Sequence, residues 1–162
     1  MDPDAAAFRA ALGGLLSELL AGPREAAFFL NRGDRGLHHS LDALSADEAS
    51  ARPDGRTSVA AHVDHVRYGL SLLNRWARGE DPWHDADYSA SWTRLSVTDD
   101  EWAALRGALR RESAAWAAAI EARTSWDRDS MTEAMASVVH LAYHLGAIRQ
   151  LAARTAGPRA RD

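Results

Sequence analysis

Two histidines stand one helical turn apart in "SVVHLAYHLGAIRQLAA", residues 137–153: His140 and His144. On an α-helix, side chains at i and i+4 lie one above the other on the same face, so both imidazoles can reach one ion. A third ligand from another helix would give three protein ligands and an open position, the pattern of catalytic zinc. Imidazole also suits nickel, iron and copper, so the ligand type does not choose among these metals. Seven histidines in this chain produce such a spacing by chance often enough that context has to decide. The context here is apolar, with Val138, Val139, Leu141, Ala142, Leu145, Ile148 and Leu151 around the pair. A buried imidazole without a partner costs about 1–3 kcal/mol. A shared metal would satisfy both rings. A polar crevice, or hydrogen bonds to carboxylates, would satisfy them too, and periodicity leaves both readings open.

Composition narrows the chemistry. The chain has no cysteine, which removes disulfides, thiolate ligands and a thiol nucleophile of its own. Its basic residues are all arginine, so Schiff-base and amine-nucleophile mechanisms are excluded. A net charge of −4 and no basic stripe argue against a nucleic-acid partner. There is no H-E-x-x-H, no E-x-x-H pair of the ferritin-like di-iron type, no G-x-S-x-G and no P-loop. The start, "MDPDAAAFRAALGG", is acidic and lacks the cationic and apolar regions of a signal peptide, and no run approaches the ~20 apolar residues of a membrane span. A cytoplasmic protein without a membrane partner is expected.

The elements that must position these histidines read as helices, with almost no period-two alternation. One domain over residues 1–162 is expected, with a frayed tail from about 156. A first long helix is expected from about Asp4 to Ala21. It is followed by a looser segment in which Phe28, Phe29 and Leu30 pack, and then by a short helix over "LHHSLDAL". Ser45 and Glu48 have capping-box spacing, and "PDG" marks a turn. The second long helix is expected from near Ser58 to Gly79 and carries His62 and His65. A long connection rich in Trp and Asp, residues 80–97, leads to a third helix opened by a Thr98–Glu101 box. A Ser130–Glu133 box is expected to open the fourth, which runs through Ala153. Four long amphipathic helices predict an all-α four-helix bundle, and bundles build metal sites from facing helices.

The chain resembles the DinB/YfiT-like superfamily of metal-dependent enzymes over most of its length. The resemblance rests on "GLHHSLDALSADEASARPDGRTSVAAHVDHVRYGLSLLNRWARGEDPW", on "YSASW", and most specifically on the closing "VVHLAYHLGAIRQL". It implies a four-helix bundle with a three-histidine divalent-metal site, and a homodimer. It also implies a low-molecular-weight thiol of the mycothiol, bacillithiol or glutathione type as cosubstrate of a transferase or isomerase. Carried over by position, the paired ligands are His140 and His144. The remaining one lies in "AAHVDHVRY": His65, followed by an apolar residue, matches better, with His62 the alternative or a neighbour that supports the ligands. A divalent ion on three neutral imidazoles keeps its full charge, so it can acidify a bound thiol or water and polarise a carbonyl. A thiol-dependent transferase is the first expectation. A metal-dependent hydrolase and a non-catalytic metal-binding module of stress responses are the alternatives.

Other polar residues carry weaker expectations. Tyr68 and Tyr143 can orient a ligand, although packing with a hydroxyl partner is the commoner role. Arg149 can grip a carboxylate bidentately, with a surface or interface ion pair expected. Glu133 can support a histidine N–H, but its capping position already accounts for it. Trp76, Trp83 and Trp92 are expected in the core, with a pocket wall or dimer seam as the alternative. His84, Asp85 and Asp87 form a polar loop, and His38 and His39 lie on a solvated or packed helix face.

Overall fold

The computed structural model describes residues 3–53 and 55–159. Asp54, at the centre of the expected Pro-Asp-Gly turn, lies outside them, as do residues 1–2 and residues 160–162 of the expected frayed tail. Among the described residues the regular elements are α-helices and short 3-10 turns, with no strand. The helices are α1 (Pro3–Ala21), α2 (Gly36–Asp42), α3 (Ala46–Ser50), α4 (Val59–Ala77), α5 (Asp99–Ala122) and α6 (Arg128–Leu151). The four long ones pack as a bundle, α4 and α1 each lying against both α5 and α6.

Apolar periodicity explains which faces turn inward. Leu12, Leu16 and Leu19 of α1 meet Leu105 and Leu109 of α5 and Leu141, Leu145 and Ile148 of α6 in one buried cluster. At roughly 1.5–3 kcal/mol per fully buried large apolar side chain, this cluster is the main stabilising term. Trp102 is fully buried and its indole N–H donates to the carbonyl of Leu44 at 2.9 Å, fixing the α2–α3 corner against α5.

Two of the expected capping boxes are present, Ser45 with Glu48 opening α3 and Thr98 with Glu101 opening α5. The third is displaced by one turn. Asp127 caps α6, accepting from the backbone N–H of Ser130 at 2.8 Å, and the Ser130 hydroxyl lies 3.0 Å from the Asp127 N–H it bonds. A carboxylate at the cap also meets the positive end of the helix dipole, so Asp127 outcompetes Ser130 for the position. Glu133 is thereby left without a capping role.

The segment after α1 also differs from expectation. Phe28 and Phe29 are 79% and 56% exposed, and of the three apolar residues only Leu30 is buried. Glu18 explains this. Its buried carboxylate accepts from the backbone N–H groups of Phe28, Phe29 and Leu30 at 2.7–3.1 Å, turning the backbone inward and the two rings out. Burial pushes the Glu18 carboxyl up, but these three bonds outweigh it and hold it below its usual range.

Gly22 (φ 91°) and Gly36 (φ 71°) close the junction of α1 and α2 backbone to backbone. A Cβ on Gly22 would stand 2.1 Å from the Asp34 carbonyl oxygen, and one on Gly36 2.7 Å from the nitrogens of Ala21 and Gly22. Arg149 forms its ion pair inside the fold rather than on the surface. It grips the buried Asp34 with both guanidinium nitrogens at 2.8 Å, joining this junction to α6. No helix among the described residues is long and apolar enough to cross a membrane.

Candidate metal centre

His62 and His65 lie on α4, and His140 and His144 on α6. The two helices cross so that the rings face each other. One ring nitrogen from each of His65, His140 and His144 lies within 4.8 Å of the other two, and this trio can hold a metal ion. The Nε2 atom of His140 is central, 3.2 Å from Nε2 of His65 and 2.9 Å from Nε2 of His144. Nitrogens bound at about 2.0–2.1 Å to one tetrahedral ion sit roughly 3.3 Å apart. Two of the three separations are therefore already near the spacing an ion requires, the third lying within 4.8 Å, and the donor set of three imidazoles suits zinc, nickel or iron.

The environment prepares the rings as ligands. His65 and His144 are buried and His140 is half-buried. Burial, with the neighbouring imidazoles adding to it, brings His65 down to about 4 and His144 down to about 3. Burial alone lowers His140 and His62. Near pH 7 all four are neutral, the form that ligates metals.

The tautomer of His65 follows from its neighbours. Its Nδ1 lies 2.8 Å from the hydroxyl oxygen of Ser91, and that hydroxyl donates its only proton to the Tyr88 carbonyl at 2.6 Å. Ser91 must accept from His65, so His65 carries its proton on Nδ1 and aims the Nε2 lone pair at the centre. The sequence gives no sign of this. "YSASW" holds serines at 89 and 91, and only the docking of the Ala90–Trp92 turn on α4 selects Ser91. Trp92 belongs to the same turn and stacks on His65, ring centres 4.3 Å apart and planes 24° apart, so it is a wall of the site rather than a core residue. Arg94 anchors the segment further by reaching Asp64 on α4 at 2.9 Å.

His62 stands apart from the trio. Its Nδ1 lies 2.8 Å from Nδ1 of His144, on the far side of that ring from the centre. With the Nε2 of His144 turned to an ion, the Nδ1–H of His144 donates to His62.

The remaining expected residues divide clearly. Tyr143 is 68% exposed and touches the site only through the edge of its ring against His144. The Tyr68 hydroxyl accepts from the backbone N–H of Asp87 at 2.8 Å and braces the connection. Asp85 is paired with Arg75 at 3.0 Å, and Asp87 accepts from Ser89 and Ala90 at 2.6 and 3.1 Å, so His84, Asp85 and Asp87 form no second centre. His38 faces Ser113 across 3.3 Å, and His39 is exposed beside Arg35. Trp76 packs toward Trp116, ring centres 6.5 Å apart.

A cavity of about 280 Å³ opens along the seam between α4 and α6 with His140 in its wall. Val66, Leu70 and Leu73 line one side, Glu133 and Leu141 the other, and Trp83 lies across it. A separate recess of about 480 Å³ lies between α1 and the segment that follows it, lined by Ala10, Gly14, Leu15 and Phe28. It brings no set of reactive groups together, because the one buried carboxylate there, Glu18, is committed to backbone N–H groups.

No family model matches this chain, and neither the curated proteins nor the solved structures contain a significant match.

Proposed function

We propose that this protein is a metal-dependent enzyme of the DinB/YfiT-like type, a transferase acting with a low-molecular-weight thiol at a centre held by His65, His140 and His144. The observation that carries the reading is the convergence of these imidazoles at ligand spacing beside a cavity. The motif "VVHLAYHLGAIRQL" and the helical bundle support it independently.

A divalent ion held there would supply positive charge to acidify a thiol or water and to polarise a carbonyl. The chain's own residues do the rest. His65, His140 and His144 offer neutral nitrogens, Ser91 and His62 fix the orientation of two of the rings, and Trp92 shields one face of His65 from water. Val66, Leu70 and Leu73 give the approach an apolar wall. An external thiol suits a protein with no cysteine of its own, and the reading includes a cytoplasmic location and a homodimer, which sedimentation velocity tests directly.

The deciding experiment is elemental analysis of untagged protein after incubation with zinc, nickel or iron salts, beside single His→Ala variants. One ion per chain is expected in the wild type and in His62→Ala, and none in His65→Ala, His140→Ala or His144→Ala. Metal-free wild-type protein would overturn the reading. If metal is present, turnover of an electrophile that needs added thiol supports a transferase, and thiol-independent hydrolysis replaces it with the hydrolase.

A further inference from the structure

The cavity beside His140 has a polarity that the metal reading does not use. It lies between one face of α4 (Val66, Leu70, Leu73) and one face of α6, on which Glu133 and His140 are seven residues apart. Seven residues of helix are two turns, so their backbones are separated by roughly 10 Å. Between the two ends the lining is apolar or small. Among the described residues that line it, Glu133 is the only formally charged one.

Glu133 is half-buried and makes no hydrogen bond or ion pair among the described residues. The cap of α6 is formed by Asp127 and Ser130, so Glu133 has no part in it. Burial, and after it the neighbouring Glu133 carboxylate and Tyr68, raise the Tyr88 hydroxyl above its usual range. Beside it stand Trp83, 39% exposed, and Tyr88, 44% exposed, both large aromatic surfaces left facing solvent at the mouth. Beyond Glu133 an outer recess also carries Arg128 and Asp129, so the charge at that end sums to one negative unit. An unpaired carboxylate flanked by aromatic faces at the end of an apolar slot is the arrangement that recognises an organic cation.

We infer that the cavity takes an organic ammonium compound: an apolar body lying against Val66, Leu70 and Leu73, its cationic nitrogen at Glu133, and its reacting end toward His140. The inference rests on the proposed centre for the position of the reacting end, and on Glu133 and the cavity for the rest. A divalent ion would repel a cation placed next to it. Two turns of helix separate the ammonium group from that charge, and the Glu133 carboxylate beside it offsets the remaining repulsion.

The test is calorimetric titration at pH 7 with three probes of one shape, 3-phenylpropylamine, 3-phenylpropan-1-ol and 3-phenylpropanoate. Each is titrated into metal-free and into zinc-loaded wild-type, Glu133→Gln and Glu133→Asp protein. The amine is expected to bind wild type at least ten times more tightly than the alcohol, and the acid more weakly than either in the metal-free protein. Glu133→Gln should bring amine and alcohol within about twofold, while Glu133→Asp, which keeps the charge, should retain most of the preference. Equal binding of amine and alcohol, a preference that survives Glu133→Gln, or no binding of the amine would each overturn the inference. The two proposals fail separately. An absent metal centre shows as no zinc uptake with the amine preference intact, and a wrong ligand class shows as normal uptake with no preference.

Discussion

The hydroxyl oxygen of Ser91 lies 2.8 Å from Nδ1 of His65, and its own proton is held elsewhere. The bond therefore runs in one direction, from imidazole to hydroxyl, and leaves the other nitrogen of His65 free to face the centre. Removing such a partner of a ligand costs metal affinity about 10–100-fold. Ser91→Ala should weaken zinc binding by that factor in a chelator-competition titration while leaving one ion per chain at saturating metal. Ser91→Thr, which keeps the hydroxyl, should remain close to wild type. Unchanged affinity in Ser91→Ala would show that His65 is oriented by packing against Trp92 alone.

Acid sensitivity should trace in part to a histidine outside the centre. His38 is packed against Ser113, and its pKa falls to about 4, chiefly through burial and then through the nearby Arg110, with Asp42 opposing. In the unfolded chain it returns to about 6.5. As pH falls, the unfolded chain takes up this proton first, so stability is whole above about 6.5 and declines down to about 4. Below about 4 this residue adds no further slope. His38→Gln should flatten the loss of melting temperature between pH 6.5 and pH 4 relative to wild type. Parallel curves for the two proteins would remove His38 from the account.

Glu18 should matter more than its position on α1 suggests. Its replacement by Ala leaves three backbone N–H groups in a partly or fully buried turn without an acceptor. A cost of about 2–4 kcal/mol is expected from lost charge-assisted bonds, read as the shift in free energy from urea denaturation. A change below 1 kcal/mol would mean that water reaches the turn and replaces the carboxylate.

The Asp34–Arg149 pair offers a test of how a buried ion pair stabilises. Their side chains are 3% and 15% exposed. Arg149→Leu alone strands a buried carboxylate and should cost about 3–5 kcal/mol. Asp34→Leu with Arg149→Leu should cost less than that single change, since no charge is then left unpaired. Additive losses in the same urea experiment would show that the two residues act separately.

The four long helices were legible in the sequence because apolar periodicity and turn signals are local, whereas the pairing of α4 with α6 was expected only from the family resemblance. The i, i+4 spacing of His140 and His144 likewise fixes a shared face before any packing is known. What was not legible depends on side chains meeting across the fold. The choice of Asp127 over Ser130 as the cap turned on a one-turn shift that leaves the pattern of α6 unchanged. The outward Phe28 and Phe29 follow from Glu18, a charged residue inside an apolar stripe, whose role requires the following turn to fold back on it. Ser91 was invisible because a 3-10 turn has no periodicity from which to read a facing. Between His62 and His65, three residues apart on one helix, only the position of the opposing α6 rings separates a place in the trio from a place behind His144.

The junction of Gly22 and Gly36 would mislead a survey of mutational tolerance. A side chain at either position would overlap backbone atoms, which cannot rotate aside as a side-chain tip can. Both glycines should therefore reject nearly every substitution, as His65, His140 and His144 should if activity is selected. The two kinds of intolerance part when abundance is scored instead. Glycine variants should be missing from the soluble pool, whereas ligand variants should accumulate and fail only in function. A paired screen of this kind would separate the residues that make the fold from those that use it.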